Sequence, residues 1–173
     1  MADVVLPDRV APQPWANGGG TTRELLRAED GAWRVSLAEV ERDGPFSSFP
    51  GRRRLLTVVT GAVLTLVVDG IESHVEPRRP FAFDGDAEVV ARVPEGPVRV
   101  LNVIVDPEAV SPVVTVLELG RGSALPLAAD QAALVLQGRA LADDAEAPAE
   151  SLVAGPAVVT GRCTLAVITL QRH

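Results

Sequence analysis

The chain has 173 residues, 47% of them hydrophobic, and a formal net charge of −7. That is enough for one domain with a real core, or for two small barrels, and too apolar for a disordered tail. The negative balance repels phosphate backbones and argues against nucleic-acid binding, since the run Arg52-Arg53-Arg54 is too short to reverse it.

The side-chain inventory excludes more. All 16 basic residues are Arg, which removes Schiff-base chemistry and an amine base. His occurs only at 74 and 173, and the single Cys163 cannot form an intrachain disulfide, which suits a reducing compartment. Residues 1–7 lack a basic region followed by a long apolar stretch, and no apolar run approaches bilayer length. The expectation is a cytoplasmic protein with no membrane partner.

In chain order, a Pro-rich lead runs into Trp15-Ala16-Asn17-Gly18-Gly19-Gly20, and a turn at Asp30-Gly31 follows residues 21–27. Residues 33–40 alternate as a strand, with Trp33, Val35 and Leu37 on one face and Arg34, Ser36 and Ala38 on the other. Residues 43–51 form a loop bearing Phe46 and Phe49. Two strands follow around Gly61, then a hairpin turn at Asp69-Gly70 into residues 71–75. Phe81 and Phe83 alternate in a short strand, and residues 89–93 and 98–105 form a further pair.

The second half repeats this style with shorter spacing. Strands are expected at 113–119, 132–137 continuing through 139–142, 152–160 and 163–170, with an acidic loop at 143–150. Short apolar runs divided by Gly and Pro, with this weak repeat, predict an all-β chain of two barrels with few or no helices.

Four segments could carry chemistry. Asn17 to Arg23 holds three consecutive Gly whose N–H groups can line one concavity, or it is a plain entry loop. Arg34 and Ser36 share a face near the aromatic loop. Arg54 opens an apolar strand, where its planar fork could bind a carboxylate in two contacts. Asn102 shares a strand face with Val98, Val100 and Ile104, so its amide needs a partner if buried. His74 stands alone between Glu72 and Glu76, and Cys163 precedes an apolar strand and reads as core.

Six motifs occur together and in order over residues 14–106. They are Pro14-Trp15-Ala16-Asn17-Gly18-Gly19-Gly20-Thr21-Thr22-Arg23-Glu24, Trp33-Arg34-Val35-Ser36-Leu37-Ala38, and Asp43-Gly44-Pro45-Phe46-Ser47-Ser48-Phe49-Pro50-Gly51. With them stand Arg54-Leu55-Leu56-Thr57-Val58, Pro80-Phe81-Ala82-Phe83-Asp84-Gly85-Asp86 and Leu101-Asn102-Val103. In these the chain resembles the HutD/Ves family, with Ala16 standing where the family often has Lys. The resemblance implies a double cupin-like fold, a pair of RmlC-like jelly-roll β-barrels, without the usual metal ligands. A metal-binding cupin needs two close His, a carboxylate and a third His; one internal His cannot supply that set, so no metal and no cofactor are expected.

On this reading residues 1–108 form an N-terminal cupin-like barrel with the ligand pocket. Residues 109–173 form a shorter, structural C-terminal barrel, the two packed as one globular unit. The resemblance further implies a link to histidine utilisation and a sensing role for a carboxylate intermediate, urocanate or a formylated derivative. Carried over motif by motif, Asn17, Arg34, Ser36, Phe46, Ser47, Phe49, Arg54 and Asn102 become the ligand-binding candidates. The alternative is a cofactor-free isomerase or lyase in the same pocket, drawing its acid and base from Glu39, Asp43 or Asp84. A third reading is a docking protein, and a homodimer is compatible with all three.

Overall fold

The computed structural model describes residues 1–173. Its regular structure is almost wholly β. After β1 (Asp3–Val5) comes a single 3-10 turn, Pro7–Arg9, and then β2 (Gln13–Pro14), β3 (Gly20–Arg27), β4 (Trp33–Val40), β5 (Gly44–Pro45) and β6 (Arg53–Thr60). β7 (Leu64–Val68), β8 (Ile71–Val75), β9 (Phe81–Asp84), β10 (Val89–Arg92) and β11 (Val98–Val105) follow. The later strands are β12 (Val110–Leu119), β13 (Ala124–Leu127), β14 (Gln131–Gly138), β15 (Ala140–Ala142), β16 (Ala145–Ala147), β17 (Leu152–Ala154), β18 (Ala157–Thr160) and β19 (Cys163–Arg172).

Two compact units result. One holds Ala11–Val110 and the terminal His173; the other holds Met1–Val10 with Ser111–Arg172. The first ten residues therefore do not belong with the N-terminal barrel as expected. β1 pairs antiparallel with β17, Val4 opposite Val153, and is an edge strand of the C-terminal unit.

Each unit is a sandwich of two separate sheets rather than one closed hydrogen-bonded cylinder. In the N-terminal unit the sheets run β2-β3-β4-β11-β6-β9 and β5-β10-β7-β8; in the C-terminal unit they run β1-β17-β14-β19-β12 and β13-β18-β15-β16. The inner faces meet in the cores. Leu56, Val58 and Val100 from the six-stranded sheet pack with Leu64, Leu66 and Ala91 from its partner. Val135, Val153 and Leu165 do the same with Ala140, Ala142 and Val159 in the other unit. Alternation along each strand places one residue in two inside, as a jelly-roll sandwich requires.

The second half departs from the sequence reading in two places. Residues 143–150 are not one loop. Asp143 and Asp144, at φ 45° and 70°, turn a tight hairpin between β15 and β16, and Ala147 enters the core. Residues 152–160 are not one strand, because the chain bends at Gly155, whose added Cβ would collide with the Ala128 carbonyl.

The inner face of the six-stranded sheet changes character along its length. Antiparallel register sets Ala38, Val100 and Val58 in one row, Ser36, Asn102 and Leu56 in the next, and Arg34, Ile104 and Arg54 in the third. The apolar end fills the core. The polar end opens a cavity.

Candidate functional site

The cavity encloses about 290 Å³ inside the N-terminal unit. Sites for small metabolites begin at about this size, so it suits a small molecule. Its floor is the polar end of β4, β11 and β6, which supply Arg34, Ser36, Asn102, Ile104 and Arg54. Its wall is the 43–51 loop, which supplies Phe46, Ser47 and Phe49. Seven of the eight residues singled out from the sequence thus line one space.

Asn17 does not line it. Its amide donates to the Pro45 carbonyl at 3.2 Å and its oxygen accepts from the Gly19 N–H at 2.9 Å, so it fastens the glycine segment to the aromatic loop. The glycines serve close packing. An added Cβ on Gly20 would strike the Glu39 carbonyl and the Trp15 ring. Sequence reading missed Trp15 and Glu24, which line the cavity. Both stand in the segment around the glycines, but Glu24 reaches the cavity only through the register that sets it opposite Ser36 across β3 and β4.

Arg54 is the centre of the site. It is only 4% exposed, and its Nε lacks a hydrogen-bond partner. Its Nη1 donates to the Ser47 carbonyl at 3.3 Å, and its guanidinium lies 4.8–5.3 Å from the rings of Phe46, Phe49 and Phe83. Burial, with the neighbouring Arg34 charge, pushes its pKa down from the usual guanidinium range to about 10. It therefore stays charged at neutral pH inside an aromatic box, with no carboxylate in salt-bridge range. A buried cation held this way attracts an anion strongly.

Arg34 approaches the same wall, 4.7 Å from the Phe49 ring, and reaches Glu24 at 3.7 Å. Trp15 donates from Nε1 to the Thr22 hydroxyl at 2.8 Å and meets Phe46 edge-on at 5.7 Å. The loop itself is anchored by backbone bonds. Phe46 N–H donates to Val89 O at 2.9 Å and Phe49 N–H to Gly85 O at 2.8 Å. Gly85 is tied to this approach, since a Cβ there would stand 2.8 Å from the Arg52 carbonyl and nearer still to that of Phe49.

The carboxylates considered for acid–base work lie elsewhere. Asp43 accepts from the Val93 N–H, Asp84 pairs with Arg53 at 3.1 Å, and Glu39 pairs with Arg99 at 3.7 Å. Glu24 is the one acid that lines the cavity. His74, on the edge strand β8, contacts Thr65 at 3.1 Å and Glu72 at 3.6 Å. No three His, Cys, Asp or Glu side chains converge anywhere in the chain. The donor set of the cavity, arginine, amide and hydroxyl with one acid, suits an anion and not a divalent cation. Cys163 is buried in the C-terminal core, and burial pushes its thiol pKa up. No helix is long and apolar enough to cross a membrane.

Known proteins share this architecture. HutD from Pseudomonas fluorescens SBW25, solved in a formate condition, superposes with a TM-score of 0.81 at 30% identity, over 99% of this chain and 100% of that one. A cupin 2 conserved barrel domain protein from Leptotrichia buccalis shares the fold at 9% identity, with a TM-score of 0.65 over 98% and 96% of the two chains. Among curated relatives, an uncharacterised 21.2 kDa protein in the hutC 3′ region of Pseudomonas putida is 40% identical over 55% of this chain and 53% of its own. Protein Ves of Escherichia fergusonii is 37% identical over 47% of this chain and 46% of its own. The chain spans about half the length of these curated relatives. The HutD family model matches residues 8–172, and the chain belongs to the HutD family.

Proposed function

We propose that this protein is a small-molecule sensor linked to histidine utilisation, binding a carboxylate intermediate, urocanate or a formylated derivative, in the N-terminal unit. The observation that carries the reading is Arg54, a buried guanidinium with an unpartnered Nε and no carboxylate partner, lining a cavity of metabolite size. Keeping a cation out of water is costly unless something negative compensates it, and a ligand carboxylate can meet its fork. Phe46 and Phe49 offer apolar faces to the flat part of such a ligand. The link to histidine utilisation is supported by the family and by the hutC-region relative.

A binding role is favoured over a cofactor-free isomerase or lyase because Asp43, Asp84 and Glu39 are engaged outside the cavity. A thermal-shift screen with urocanate and N-formylglutamate tests the reading. Ligand at about 100 times its dissociation constant adds about 2.7 kcal/mol to the native state. At about 2–4 °C per kcal/mol for a chain of this size, the melting temperature rises measurably. No shift with either compound at millimolar concentration overturns the assignment.

A further inference from the structure

Glu24 faces the cavity that Arg54 serves, and its position decides which end of a ligand goes where. It stands opposite Ser36, which stands opposite Asn102, one row along the sheet from Arg34, Ile104 and Arg54. Three strand spacings of about 4.8 Å and a two-residue step of about 6.8 Å along the strand separate Glu24 on β3 from Arg54 on β6, so their backbones are about 16 Å apart. Both side chains reach inward, leaving a gap that a short flat molecule bridges.

The Glu24 carboxylate is not saturated. One oxygen lies 3.5 Å from Arg27 and the other 3.7 Å from Arg34, both longer than the 2.7–2.9 Å of a tight charge-assisted bond. An ionised carboxylate offers about four acceptor positions, so it can still take a hydrogen from a ligand. It cannot accept a second carboxylate beside it, because like charges repel.

We infer that Glu24 is a specificity-determining residue, selecting a flat monocarboxylate that carries an N–H donor at its far end and rejecting dicarboxylates. This rests on the reading of the cavity as a carboxylate site, and it separates the two ligand classes proposed for it. The ligand's carboxylate goes to Arg54, its planar middle lies against Phe46 and Phe49, and its N–H meets Glu24. Urocanate has this pattern. N-formylglutamate, with a second carboxylate, does not.

Calorimetric titration with three probes tests the inference: urocanate, 3-(2-furyl)acrylate as its near-isostere without an N–H, and N-formylglutamate. The wild type binds urocanate about tenfold or more tighter than furylacrylate, the loss expected when a charged acceptor goes unmatched. N-formylglutamate binds more weakly still. Glu24→Ala brings urocanate and furylacrylate to within about threefold. Glu24→Gln, which keeps the side-chain shape, improves N-formylglutamate binding about tenfold by removing the repulsion. Equal affinity for urocanate and furylacrylate in the wild type, or affinity ratios that stay as in the wild type in both variants, overturns the role of Glu24 while leaving the carboxylate site standing. Failure of all three probes to bind the wild type overturns both.

Discussion

The guanidinium carbons of Arg34 and Arg54 lie 4.7 and 4.9 Å from the centre of one ring, that of Phe49. The two residues stand in one row across β4, β11 and β6, with Ile104 between them. The sheet register thus brings two like charges to a shared aromatic wall. Their mutual repulsion adds to burial in lowering the Arg54 pKa. An anion between them would relieve it.

Arg54→Ala is expected to weaken urocanate binding by about 1.5–3 kcal/mol, the scale of a hydrogen bond to a charged group. Arg54→Lys should recover only part, because an ammonium cannot make the bidentate pair. Arg53→Ala should change little, since Arg53 pairs with Asp84 in an exposed bridge. Calorimetry on the three variants checks this, and equal affinity in Arg54→Ala and the parent protein would sink the clamp.

Arg54 also weakens the empty protein. Its pKa falls on folding from the usual guanidinium range to about 10, so the cost of burying its charge is fully present below about pH 10. That cost is relieved as pH rises above about 10. Arg54→Met should therefore raise the melting temperature of the ligand-free protein at pH 7 by a few degrees and abolish the urocanate-induced shift. In the parent protein, urocanate affinity should be flat from about pH 7 to 9 and fall above about pH 10 as the cation is lost. A lower melting temperature for the Met variant would show that the ring contacts outweigh the burial cost.

Gly85→Ala should push the Phe49 carbonyl away and carry the aromatic wall with it. We expect urocanate affinity to fall about tenfold, the effect of losing about 1.4 kcal/mol of contact, while circular dichroism keeps its β signature. Unchanged affinity would mean the loop adjusts without moving Phe49.

Asn17→Ala should act on stability rather than on binding. It removes two hydrogen bonds of about 1 kcal/mol each, to Pro45 and from Gly19. The melting temperature should drop by several degrees, at about 2–4 °C per kcal/mol, with urocanate affinity changed by less than about threefold. A tenfold loss of affinity without a stability change would place Asn17 in the site after all.

The sequence by itself determined the β character, the strands at 33–40, 71–75 and 98–105, and the face on which Arg34, Ser36 and Asn102 stand. Strand alternation has a period of two and needs only local residues to be read. The turn at Asp69-Gly70 was legible for the same reason, since positive φ at both positions is written in the residue types. Tertiary structure decided the rest. That β1 joins β17 depends on pairing across most of the chain, and three residues carry no signal of their partner. Asn17 looks functional in sequence, and Glu24 in the same segment does not stand out. One became a staple and the other a wall of the cavity only when β3 settled against β4 and the 43–51 loop folded over the sheet. Arg54 looks like its two neighbours in a run of three, and register with Ile104 and Phe83 alone puts its charge inside, because adjacent residues on a strand face opposite sides.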